Sequence, residues 1–126
     1  MNEAPAPTNE RVAISTIIQK YLDGGTTGDS DFMRVAFHKD ATIYGYIGDE
    51  LFGGPIERLF EWNTSNGPAA DLQADIASID VEGSIATARI ELNNWTGHKF
   101  TDMFTLLKTD DGWKIMSKVF YLHPEK

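Results

Sequence analysis

The hydrophobic period of the chain changes at Gly67 from about 3.6 to two and stays at two, and this switch constrains the fold more than any other feature. "DLQADIASIDVEGSIATARIELNNWTG" reads as two long strands about Glu82-Gly83. "HKFTDMFTLLKTDDGWKIMSKVFYLH", residues 98–123, reads as two more about Asp110 to Gly112. Four consecutive strands joined by tight turns form an antiparallel meander. Within it Asp102 stands between Phe100 and Phe104, a carboxylate on what alternation makes the apolar face.

The first half is helical by the same test. Residues 1–7 hold two prolines and little to bury, which predicts a disordered tail, and Thr8 or Asn9 is placed to cap a helix. Val12, Ile14, Ile17, Ile18, Tyr21 and Leu22 recur at helical spacing until "DGG" at 23–25, where glycine suits a C-cap. A second, shorter helix is predicted in "TTGDSDFMRVAFHKD", capped by Asp29 or Ser30, with Phe32, Met33, Ala36 and Phe37 buried. "ATIYGYIGDELFGG" alternates about Gly48-Asp49 as a hairpin, and Pro55 is read as opening a third helix, "PIERLFEWNTSNG". Helices first and long antiparallel strands after them describe an α+β domain over residues 8–126, a curved sheet covered by helices on one face.

Composition narrows the function classes. A chain of 126 residues has material for one core, and 41% hydrophobic against 24% charged residues is a globular balance. No apolar run is long enough to span a bilayer. The net charge of −8 disfavours nucleic acid as a partner. Without cysteine there are no disulfides or thiolate chemistry, and "MNEAPAPTNER" lacks the apolar segment of a secretory signal, so a cytoplasmic location is expected. Three histidines without HxH or HExxH spacing predict no metal site. "GDELFGGP" lacks the spacing and lysine of a phosphate loop, and no serine sits in a G-x-S-x-G elbow, so no cofactor is expected.

"IIQKYLDGGTTGDSDFMRVAFHKDATIYG" and "FTDMFTLLKTDDGWKIMSKVFY" together resemble the NTF2-like superfamily, whose members share a helix, acidic turn, second helix, "FHPDA" signature and closing "DGWKI" hairpin. Lys39 departs from the proline frequent in that signature. The similarity runs from residue 8 to 123, and within the superfamily it is nearest to the group named for putative lumazine binding. The resemblance implies a cone-shaped fold with three N-terminal helices on the concave face of a strongly curved, mainly antiparallel sheet. It also implies a pocket between sheet and helices, and a homodimer through the outer sheet face. The superfamily includes ketosteroid isomerases, scytalone dehydratase, polyketide cyclases and proteins without chemistry, so it names no reaction.

The candidate site is built around Asp102. With an even-length turn in the last hairpin, the face of Phe100, Asp102, Phe104 and Leu106 also carries Trp113, Ile115, Ser117, Val119 and Tyr121. The opposite face then carries Met103, Met116, Lys118 and Phe120. A carboxylate among aromatics is tuned for acid–base work or for hydrogen bonding to a ligand. It serves equally as a structural acceptor for Tyr121, Tyr44 or a buried water. His38 is a second catalytic candidate, with capping of the short helix as its structural alternative. Tyr44 and Tyr46, which share a strand face, and Trp62 on the third helix join Phe100, Phe104 and Tyr121 as ligand-binding candidates, and Trp95, in the turn region "NNWTG", is a further ring placed to rim a pocket; each would serve as well in a core or interface. The expected partner is a small organic ligand. The function is then a binding protein, or an isomerase, dehydratase or cyclase using Asp102, or a protein-interaction module without a ligand.

Overall fold

The computed structural model describes residues 8–124; the predicted tail at residues 1–7 lies outside the described residues. The elements run α1 (Thr8–Thr27), α2 (Ser30–Arg34), β1 (Phe37–Ile47), β2 (Glu50–Pro55), α3 (Glu57–Asn66), β3 (Gln73–Glu82), β4 (Ile85–Trp95), β5 (His98–Thr109) and β6 (Gly112–Leu122). The strands form one curved sheet in the order β2-β1-β6-β5-β4-β3, antiparallel throughout except where β1 lies parallel to β6. This is the α+β architecture expected, with the β3–β6 meander intact and the β1–β2 hairpin turning at Gly48-Asp49. Among the described residues no helix is long and apolar enough to cross a membrane.

The core lies between the inner sheet face and the helices. Ile14, Ile18 and Tyr21 of α1 are fully buried, as are Ile90, Leu92 and Ile115 of the sheet. Helix α1 is fastened at its start by Glu10, which accepts hydrogen bonds from the Trp113 indole (2.9 Å) and Lys108 (2.6 Å). Those two donors hold the Glu10 carboxyl below its usual pKa. Helix α3 is tied back by Asn63, whose amide donates to the Gly24 carbonyl and the Ser30 hydroxyl, each at 3.1 Å.

Several local expectations are corrected. Helix α1 continues through Gly24 and Gly25 to Thr27, and the left-handed residue after it is Gly28 (φ 77°). The two glycines serve close packing instead: a Cβ on Gly24 would lie 2.4 Å from Met33 Cβ, and one on Gly25 would lie 2.7 Å from the Trp95 ring. Phe32 of α2 is 40% exposed rather than buried, and Phe37 and His38 already belong to β1. Pro55 ends β2, and α3 begins at Glu57 behind Ile56. Trp95 is not in a turn but closes β4, fully packed, with Asn94 (φ 63°) and Thr96 (φ 50°) in left-handed conformation on either side.

The correction that matters most is in the last hairpin. Thr105 pairs with Ser117 while Leu106 pairs with Ile115, so Met116 is an extra residue, a β-bulge. A one-residue insertion exchanges the two faces of every side chain beyond it. Trp113 and Ile115 point inward as expected, but past the bulge it is Lys118 and Phe120 that are buried, while Val119 and Tyr121 are exposed.

Candidate functional site

The bulge delivers a cation to the carboxylate. Lys118 Nζ donates to Asp102 Oδ1 at 2.9 Å and to the Tyr21 hydroxyl at 2.9 Å, and that hydroxyl donates to Asp102 Oδ2 at 2.5 Å. The three groups close a triangle fed by α1, β5 and β6. Asp102 and Tyr21 are fully buried and Lys118 is 5% exposed. A lone charge in such a place is very costly, whereas a hydrogen-bonded pair is tolerated. Asp102 thus has its acceptor oxygens satisfied by Tyr21 and Lys118. The partners considered from sequence, Tyr44 and Tyr121, are not the ones that meet it.

Electrostatics follow from this burial. Desolvation lowers the Lys118 pKa below the ordinary 10.5, opposed by the adjacent Asp102 charge and its hydrogen bond. Desolvation, reinforced by the Asp102 charge, raises the Tyr21 phenol well above 10.0, so its proton stays in place. The Lys118 ammonium also lies over the rings of Tyr21 and Phe120, 5.1 and 5.4 Å from their centroids.

Lys118 forms part of the wall of a cavity between the sheet and α3. Its other walls are Ile43, Leu59, Trp95 and Phe120, buried, and Ile47, Phe52, Trp62 and Phe100, which are partly or largely exposed and form the mouth. Asp102 and Tyr21 stand behind Lys118 and do not line the wall. The rings interlock edge to face, with Phe100 between Trp62, Trp95 and Phe120 at centroid distances of 6.5, 6.3 and 5.9 Å. Gly45 makes room for this arrangement, since a Cβ there would fall 2.6 Å from the Phe120 ring. The cavity measures about 40 Å³, enough for a few waters and far short of the roughly 300 Å³ of a pocket for a drug-sized ligand.

Two polar side chains belong to the cavity, and both are donors. One is the Lys118 ammonium; the other is Trp95, whose indole N–H is buried without a hydrogen-bond partner among the described residues. Such an unpaired donor costs roughly 1–3 kcal/mol.

Of the residues singled out from sequence, the structure brings Trp62 and Phe100 to the cavity, with Asp102 one step behind. Phe104 is buried deeper, against Tyr21 and Phe37. Tyr44, Tyr46 and Tyr121 stand on the outer sheet face, 44%, 61% and 57% exposed. His38 lies near the start of β1, partly exposed, its Nδ1 accepting from the Asp40 N–H at 3.0 Å, so it neither caps α2 nor reaches the cavity. Sequence reasoning passed over Tyr21 and Lys118, while Trp95, weighed as an aromatic of the rim, does line the cavity. A phenol on the buried stripe of α1 was a usable signal for Tyr21, since a buried hydroxyl needs a partner. Lys118 gave none without knowledge of the bulge. Among the described residues no cluster of three or more His, Asp or Glu side chains is placed to hold a metal ion.

Comparison with known proteins agrees with this fold. The family model described as "Putative lumazine-binding" matches residues 9–121. An NTF2-like protein of unknown function from Methylobacillus flagellatus KT is 46% identical, with a TM-score of 0.92 over 94% of this chain and 96% of that one. A second, from Shewanella baltica OS155, is 39% identical, with a TM-score of 0.90 over 98% of this chain and all of that one. Among curated proteins, the aldolase FrzH of Cladobotryum sp. is 28% identical over 119 residues, spanning 93% of this chain and 94% of its own. A ketosteroid isomerase-like protein from Erwinia carotovora shares the fold at 16% identity and a TM-score of 0.72. The chain belongs to the Putative lumazine-binding family of NTF2-like proteins.

Proposed function

We propose that the protein binds a small, flat organic molecule through a carbonyl oxygen, with the ring in the aromatic cavity and the oxygen at Lys118. The carrying observation is the lining of that cavity: apolar and aromatic walls with one buried amine, Lys118, and no acceptor side chain among them. A carbonyl supplies the missing acceptor, and a flat ring suits walls built of rings. The family description points to the same class, since lumazine is a flat bicycle bearing two carbonyls. Because the cavity is small, a bicyclic ring enters only as Phe52, Trp62 and Phe100 at the mouth turn aside.

In a thermal melt, lumazine and other small cyclic diones are expected to raise the melting temperature in a concentration-dependent way, and Trp62→Ala to weaken the response. No shift across a broad set of such compounds, or an undiminished shift in the variant, contradicts the reading. The molecule is read as a cytoplasmic homodimer joined through its outer sheet face.

A second reading, a cofactor-independent enzyme moving protons, is favoured by the two partners of Asp102. A carboxylate in hydrogen-bond contact with a phenol and an amine beside a cavity has the makings of a proton relay. The aldolase name of one relative lies in the same direction. Asp102 would act through Lys118, with Tyr21 holding both in place, as an isomerase, dehydratase, cyclase or carbon–carbon bond enzyme requires at an acidic carbon. The test is hydrogen–deuterium exchange at the α-carbon of a bound ketone, followed by NMR: exchange catalysed by the protein and lost in Asp102→Asn supports it, and exchange at the buffer rate counts against it.

A further inference from the structure

We propose that Lys118 is a covalent, imine-forming lysine: its Nζ condenses reversibly with the carbonyl carbon of a small ketone or aldehyde held in the cavity. The inference rests on the cavity being a carbonyl site, and it adds that the contact passes from hydrogen bond to bond.

Geometry carries the argument. Lys118 is the one amine in the cavity wall, itself buried, among aromatic walls that include the partly exposed Phe52, Trp62 and Phe100. Its Nζ makes two hydrogen bonds, to Asp102 and Tyr21, among the described residues, and an ammonium has three protons to give. A surface lysine is a poor nucleophile because it is protonated; burial in apolar surroundings favours the free amine, the form that attacks a carbonyl. Desolvation acts on Lys118 in that direction.

The triangle also provides for the protons. Asp102, 2.9 Å away, accepts one from the ammonium, and the freed amine attacks the carbonyl carbon while the oxygen takes up a proton to give the carbinolamine. The nitrogen then releases a second proton as the C–O bond breaks; the oxygen takes it and leaves as water. The sum is R–NH3⁺ + O=CR′2 → R–NH⁺=CR′2 + H2O, conserving charge and needing no oxidant or reductant. Tyr21, keeping its proton at neutral pH, bridges Asp102 and the nitrogen throughout and holds Nζ in place. Dry walls favour the imine, since its hydrolysis needs water.

The experiment uses the intact protein with acetone, cyclohexanone and pyruvate as probes, sodium borohydride to reduce any imine, and mass spectrometry of the whole chain and its peptides. One adduct per chain is expected, mapping to Lys118, absent in Lys118→Arg and slowed in Asp102→Asn. Labelling of Lys118 at least about tenfold faster than of the exposed Lys39 is expected, since free amine at neutral pH rises in proportion as proton affinity falls. Adducts spread evenly over surface lysines overturn the proposal. Should Lys118→Arg not fold, the peptide map of the unaltered chain decides alone. Quenching of tryptophan fluorescence by the same ketones without borohydride separates the two claims. Saturable quenching without a Lys118 adduct overturns the imine and leaves the binding site standing, and neither quenching nor adduct overturns both.

Discussion

Asp102 poses the sharpest question at the scale of single residues, and its neighbours answer it. A buried carboxylate between two phenylalanines is legible in the alternation of β5, and so is the need for something to compensate it. The compensating groups are not legible, because Tyr21 lies 81 positions away and Lys118 is placed by a bulge that no local pattern announces. Asp102 and Lys118 are mutually dependent. Asp102→Asn leaves the Lys118 charge buried and unpaired, and a loss of about 3–5 kcal/mol is expected in urea unfolding. Replacing both, as Asp102→Leu with Lys118→Met, recovers most of it, because a buried ion pair exchanged for apolar groups of similar volume is roughly neutral. A loss below about 1 kcal/mol in the single variant, the size of a surface ion pair, contradicts the assignment of Lys118 to Asp102.

At the scale of elements, hydrophobic period fixed helix and strand identity well and failed where tertiary packing overrides local rules. "DGG" reads as a stop signal, yet α1 runs through it because Met33 and Trp95 press against its last turn and leave no room for a Cβ. Trp95 sits in "NNWTG", a turn by composition, but the left-handed Asn94 and Thr96 move the turn past it and send the indole inward. The bulge at Met116 has the largest consequence. Without it β6 presents Val119 and Tyr121 to the cavity; with it the cavity receives Lys118 and Phe120, and the apolar residues pass to the outside. The face read from alternation therefore holds on β5 and is inverted on the second half of β6. On β1, Tyr44 and Tyr46 do share a face, but burial of Ile43 and Gly45 makes it the outer one.

For the whole molecule, the residues turned outward gather into a patch. Tyr44 lies beside Val119, Val119 beside Met103, and Tyr46 beside Tyr121, across three adjacent strands. All five are more than 40% exposed. A contiguous apolar area on a sheet face is the usual mark of an interaction surface, and a self-complementary sheet face suits a two-fold dimer. Sedimentation at tens of micromolar is expected to give a dimer, and Val119→Asp, which sets two charges against each other across such an interface, to give a monomer with the fold intact. A monomer before any substitution contradicts the interface. In the proposed dimer the outer tyrosines would join the two copies while the cavity on the other side of the sheet would hold the ligand.

That division of labour stands or falls with the occupant of the cavity. Its most direct test is a crystal structure of the protein soaked with a small cyclic dione. A ring is expected among Trp62, Trp95 and Phe100, with a carbonyl oxygen about 2.7–3.2 Å from Lys118 Nζ. A ring bound instead against Tyr44, Tyr46 or Tyr121 on the outer face, with the cavity closed by its own side chains, contradicts it.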